Sequence, residues 1–232
     1  CYADLSGMDF SHQNLSNANL SLTRLNATRF DHSNLQGVHF DGSYIKDSSF
    51  TGSTIRRARF RNVEIENSNF THADLSHSEF QDFKIRGGDF TSAQFVKSRL
   101  FRIEFKELNL RNSRWADAGF YESRMTNVDF SAADLSFSHF VKAHFDKVTF
   151  FFADLSRADF SRSDFKEVTL KDALLYLTNL KWINIGEEKR DIMAEFCRNL
   201  TSARDWQLSY RDPKFLCGAR KLPGKYRQMD NP

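Results

Sequence analysis

The sequence predicts an all-β solenoid closed at its C-terminal end by a short α-helix, and three observations carry that expectation. A large apolar residue recurs at every fifth position from Leu5 to Ile185. Two residues before it, the side chain is small in most units. The register stops at Ile185, and an amphipathic helical stripe follows. Internal repetition decides the fold class here, because a five-residue unit cannot bury its own apolar face and must stack on its neighbours.

The repeat comes first in chain order. Its central positions number 37: 17 Phe, 13 Leu and 5 Ile, with Trp115 and Met125. The intervening residue is Asp or Asn in 16 units, as in Ala3-Asp4-Leu5, Ala18-Asn19-Leu20, Ala73-Asp74-Leu75 and Ala153-Asp154-Leu155. A period of five suits neither standard element. On an α-helix, five residues advance a side chain by about 140° and scatter the set around the circumference. On a straight strand, an odd period alternates faces. The pattern works only if the chain turns once per unit. The small and large residues, two apart, then share one face of a short extended segment. The other two positions, rich in Ser, Gly, Asn, Asp, Lys and Arg, make a corner. The expected core therefore includes Leu5, Phe10, Phe50, Phe90, Trp115, Phe130 and Phe160.

The Ala-(Asp/Asn)-Leu-x-x pattern in those four segments resembles the pentapeptide-repeat family over residues 1–185. The resemblance implies a right-handed quadrilateral β-helix with four pentads per coil, hence about nine coils and a rod of roughly 45 Å. It also implies a non-catalytic binding surface. Members include DNA-mimicking rods that engage gyrase, bacterial effectors delivered into host cells, and accessory modules beside catalytic domains such as HECT-like ubiquitin ligases. A bacterial cytoplasmic or host-delivered location follows from the same resemblance.

Some units depart from the pattern. The small position holds Met8, Gln13, Phe83, Ile103, Leu108 and Ile183. Twenty-residue coils stack Phe83 on Ile103, Gly88 offers room nearby, and local distortion is expected over 83–108. Compensated packing and a bulge shaped for a partner are the two readings.

Residues 186–232 form the second expected unit, a helical cap with a basic tail. Gly186 leads into Glu187-Glu188-Lys189-Arg190-Asp191, then Ile192, Met193, Phe196, Cys197 and Leu200 make one helical stripe. Acids at its start and Arg198 and Arg204 near its end suit the macrodipole. An open solenoid end needs such a cover, which Trp206, Leu208 and Tyr210 continue up to Asp212-Pro213; a dimer interface or a further domain is the alternative. The segment Arg220–Arg227 reads as a solvated basic linker before any nucleic-acid or lipid contact.

Composition narrows function. Lys+Arg number 33 and Asp+Glu 30, and residues 1–186 balance at 23 of each. A DNA mimic needs a densely anionic surface, and no nucleic-acid partner is expected. No apolar run approaches the twenty residues of a membrane span. Only Cys1, Cys197 and Cys217 occur, so no disulfide framework supports the repeats. The chain starts at Cys1 without a signal peptide and reads as part of something longer. Phosphate-loop, dinucleotide, zinc-finger and HExxH spacings are absent, and no cofactor is expected. His12 and His32 stack, and His72 and His77 share neighbouring corners, yet two His without convergent Asp or Cys make poor metal sites. The sequons at Asn14, Asn69 and Asn199 carry no weight, the first two being products of the repeat.

Two partner-binding candidates remain. Phe101, Tyr121 and Val141 fall on equivalent corners of three successive coils, with Val96, Phe137, Phe151 and Phe152 also outward. An aligned apolar strip is a contact candidate, although the tail or further parts of the protein would cover it equally well. The second is Arg56, Arg57, Arg59 and Arg61 with Lys97 and Arg99, in which Arg57, His77 and Lys97 form one column. It reads as a dock for an acidic partner, or as a solvated face ion-paired to residues such as Glu79. The function expected is a protein-binding scaffold, the recognition portion of an effector or multidomain protein; the alternative is a substrate-positioning module of a larger enzyme.

Overall fold

Corners set the architecture. In the computed structural model, which describes residues 3–186, 190–211 and Cys217 (backbone only over 190–193), the second residue after every central position from Leu5 to Leu180 has positive φ. Most of these residues are not glycine: Leu22, Ala27, Arg57, Phe137, Phe152 and Trp182 all lie between 50° and 59°. Many corners close with a bond from the third residue back to the central carbonyl, as in Gln13 N–H to Phe10 O at 3.2 Å and Ala18 N–H to Leu15 O at 3.0 Å. Asp or Asn before the central residue completes the corner by accepting the second following N–H, as Asp4 does from Ser6 and Asn34 from Gln36. Of the 16 Asp and Asn residues at this position, only Asp164 does not; its carboxylate instead takes His144 and Asn184. That is the physical reason for Ala-(Asp/Asn)-Leu.

One corner per five residues and pairing at a spacing of twenty make the solenoid four-sided. The first side is a nine-stranded parallel sheet running from Ala3–Asp4 to Asp164–Lys166; Leu25 pairs with Ile45, Ile45 with Ile65, and onward. A four-stranded parallel sheet makes part of the fourth side, and regular bridges such as Asn34↔Thr54 and Ser49↔Asn69 complete the others. Central residues from Leu25 onward are buried. Phe10, Phe30, Phe50, Phe70 and Phe90 stack in one column with centroids 4.4–5.3 Å apart, a spacing that coil stacking imposes and that suits offset rings. Trp115 lies 3.8 Å from Phe95 and donates to Ser113 Oγ at 2.7 Å, so its indole N–H is satisfied inside the core. Phe130 and Phe160 are fully buried. Leu5 and Phe10, expected in the core, are only half-buried because no coil covers them on the N-terminal side among the described residues.

Phe83 packs against Phe60 and Phe80, and the register through 83–108 is unbroken. The expected distortion narrows to Gly88, whose φ is 110° and where a Cβ would sit 2.4 Å from Ser68 O. Only glycine fits there.

The C-terminal end differs from a simple helical lid. An α-helix (α1) spans Arg190–Thr201 and packs through Phe196 and Leu200, both buried. Arg204, expected near the helix end, instead joins the ladder: its N–H bonds Ala173 O at 2.7 Å, and its carbonyl accepts Leu175 N–H at 2.9 Å. A short 3₁₀ turn, Trp206–Leu208, leads to Tyr210–Arg211, which pairs in parallel with Asn179–Leu180. The tail thus supplies part of a further coil and satisfies an edge that a lid would only cover. On the second side the Asn199 side chain closes the edge, its Oδ1 accepting Leu170 N–H at 2.7 Å and its Nδ2 donating to Val168 O. A disulfide joins Cys197 to Cys217. The expectations for Glu187–Lys189, the Ile192 and Met193 side chains, Asp212-Pro213 and Arg220–Arg227 lie outside the described residues.

Candidate functional site

Both candidate groups sit largely on the fourth side. Its four-stranded sheet consists of Arg59–Arg61, Glu79–Gln81, Arg99–Phe101 and Gly119–Tyr121. In each strand the middle residue (Phe60, Phe80, Leu100 or Phe120) is buried, so the two flanking residues point outward. Arg59, Glu79, Arg99 and Gly119 line one column, and Arg61, Gln81, Phe101 and Tyr121 the other. Gly119↔His139 continues the ladder towards Val141. The corner column beside this sheet carries Arg57, His77, Lys97, Asp117, Phe137 and Arg157, linked through bonds such as His77 N–H to Val96 O at 2.9 Å. The face is therefore basic towards Arg57 and aromatic towards Phe137.

Its charges are partly compensated. Arg59 reaches Asp41 at 2.6 Å, Arg61 reaches Glu79 at 3.5 Å, and Arg56, around the corner, reaches Asp74 at 3.0 Å. Arg57, Lys97 and Arg99 make no ion pair among the described residues. Arg102 grips Asp82 through two bonds, at 2.6 and 2.7 Å. Those bonds hold the Asp82 carboxyl below the usual carboxylate range and raise the Arg102 guanidinium. The same guanidinium lies 4.4 Å over the Phe101 ring, so Phe101 is half-buried.

Tyr121 is 40% exposed and its ring lies across Gly119, where a Cβ would come within 2.6 Å of Cε2. Val141 and Val96 are half-buried. Phe137 is 48% exposed, with the Arg157 guanidinium 5.3 Å from its ring. Phe151 and Phe152, rings 4.2 Å apart, occupy a different corner and do not join this face. Sequence reasoning missed Leu22, Tyr176 and Trp182, all exposed; the corner register that found Phe137 and Phe152 also contains Leu22 and Trp182.

Other chemistry is sparse. His12 and His32 stack at 5.3 Å, and no group of three metal-ligating side chains occurs among the described residues. Asn14 and Asn69 use their side chains within their own corners, and Asn199 uses its own on the ladder. No helix among the described residues is long and apolar enough to cross a membrane.

Comparison with known proteins agrees with this geometry. Two family descriptions match: a pentapeptide repeat region over residues 2–70, and pentapeptide repeats (8 copies) over 55–91, 129–167 and 143–181. Among solved structures, a trypsin-treated form of QnrB1, a plasmid-mediated fluoroquinolone resistance protein, is 15% identical with a TM-score of 0.50, covering 91% of this chain and 92% of that one. HetL, a pentapeptide repeat protein involved in heterocyst differentiation regulation from the cyanobacterium Nostoc sp. strain PCC 7120, is 16% identical with a TM-score of 0.43, covering 90% and 86%. No curated protein matches the chain. At such identities the likeness to QnrB1 is one of fold. The family matches together span more than half of the sequence and coincide with the paired coils, and the chain belongs to the pentapeptide-repeat family.

Proposed function

We propose that this chain is a non-catalytic protein-binding rod, capped by residues 186–232, whose contact face is the fourth side from Arg57 to Val141. The observation that carries the reading is Phe137. A bulky side chain at φ 59° is disfavoured relative to Asn or Gly, and at 48% exposure it recovers only part of the benefit of burial. Such a residue gains its value when a partner covers it. The neighbouring cations without ion pairs, Arg57, Lys97 and Arg99, suit a partner segment that is acidic at one end and apolar at the other. On this reading the chain serves as the recognition portion of a bacterial effector or other multidomain protein, and its balanced charge speaks against DNA mimicry.

Arg57→Glu, Tyr121→Asp and Phe137→Asp variants with unchanged melting curves test it. Cross-linking capture from lysate is expected to lose one and the same interactor from all three, each interface change weakening binding by about tenfold. Identical interactor sets for the variants and the parent protein overturn the assignment.

A further inference from the structure

We infer that the Cys197–Cys217 disulfide is a redox latch on the terminal edge of the solenoid. Tyr210–Arg211 is only two residues long, yet it covers the Asn179–Leu180 edge of the last coil, and Tyr210 N–H bonds Thr178 O at 2.8 Å. A pairing that short is marginal by itself. The residues before it are anchored by buried Ala203, Trp206 and Ser209. Farther along the chain, Cys217 is partly buried against the core and bonded to Cys197 of α1. The disulfide therefore tethers the strand from its far side and raises its effective concentration at the edge. Cys197 stands next to Phe196, which is buried on the last coil, so the tether is fixed to a packed element.

Reduction by a dithiol breaks the S–S bond; two electrons and two protons pass to the cysteines, giving two thiols, while the dithiol closes its own disulfide. Tyr210–Arg211 then keeps its ladder bonds and its ring contacts, Lys181 over Tyr210 and the Arg211 guanidinium over Trp206, but loses the covalent tether, and release uncovers the last strand edge of the fourth side beside Leu177, Asn179 and Lys181. These residues and Tyr210 line a small cavity of about 250 Å³. The latch is independent of what the fourth side binds.

The test is amide hydrogen exchange on the full chain, with and without a dithiol such as dithiothreitol, alongside intact-mass counting of thiols. A Cys1→Ser background prevents intermolecular exchange. Under oxidising conditions the mass must show no free thiol in that background. Reduction is expected to speed exchange at Tyr210 by about tenfold or more, leaving Phe50 and Phe90 unchanged. A Cys197→Ser variant must match the reduced protein whether or not the dithiol is present. Free thiols under oxidising conditions, or equal protection of Tyr210 in the oxidised and fully reduced protein, overturn the proposal.

Discussion

Asn199 shows how much one side chain can do at the end of a solenoid. Its amide presents an acceptor to Leu170 N–H and a donor to Val168 O, doing on this side what the peptide groups of the next coil do elsewhere along the rod. Asn199→Asp keeps the acceptor and removes the donor, leaving the Val168 carbonyl facing a carboxylate. A loss of about 1–3 kcal/mol is expected, read as a lower denaturation midpoint with an unchanged slope; an unchanged midpoint refutes the ladder role. Corner residues make the complementary case. Ala132 is exposed at φ 56°, where an L-residue costs roughly 1–2 kcal/mol. Glycine removes that strain at an entropic cost of roughly 0.5–1 kcal/mol. Ala132→Gly is therefore expected to raise stability by up to about 1 kcal/mol in the same assay, against the usual direction for this substitution, and a loss of stability contradicts the corner conformation.

At the scale of the coil, the small positions do more than save space. Thr28 N–H does not close its corner on the Leu25 carbonyl; Ser48 Oγ from the next coil accepts that N–H at 3.1 Å and reaches Leu25 O at 2.8 Å. Ser78 does the same for Ala58 and Ile55. Ser48→Ala leaves the Thr28 N–H buried and unpaired and is expected to destabilise by about 1–3 kcal/mol, whereas a space-filling role predicts almost no change. Here the limits of the sequence become visible. The fifth-residue register marked the core from Leu25 to Ile185 because burial at a fixed period is written directly in residue type. It did not separate Ser from Ala at the small position, since both fit and only coordinates show which backbone group lacks a partner. It did not show that Arg59, Arg99, Phe101 and Tyr121 share one sheet face as a basic and an aromatic half, because that depends on coil length. Twenty residues per coil came from the family resemblance; the period alone was silent. Asn199 and the Cys197–Cys217 bridge were hidden for a similar reason, being contacts of the tail with a surface that exists only once the coils are stacked.

For the molecule as a whole, coils touch only their neighbours, so stability is distributed along the axis and the two ends can differ. The C-terminal end is closed by Asn199, Arg204 and Tyr210–Arg211, whereas Leu5, Phe10, Leu15 and Leu20 of the first coil remain half-buried. That first coil also carries a particular acid sensitivity. Hydrogen bonds from Ser6 to Asp4 and from Ser11 to Asp9 hold both carboxyls below the usual carboxylate range. Groups shifted downward on folding contribute stability that is present above the unfolded value, about 3.9 for Asp, and lost as pH falls through the lower folded value. The first coil, already least covered, therefore loses its corner bonds as pH drops below about 4. Asp82, held down by Arg102, titrates in the same direction in the middle of the rod, but there a coil packs on either side. Amide exchange, corrected for intrinsic rates and followed from about pH 7 to about pH 3, is expected to lose protection first at Leu5, Phe10 and Leu15, while Phe50, Phe90 and Leu180 hold. A uniform loss along the chain means that the coils unfold as one cooperative block, and an onset at Leu180 means that the tail, not the first coil, is the weak end.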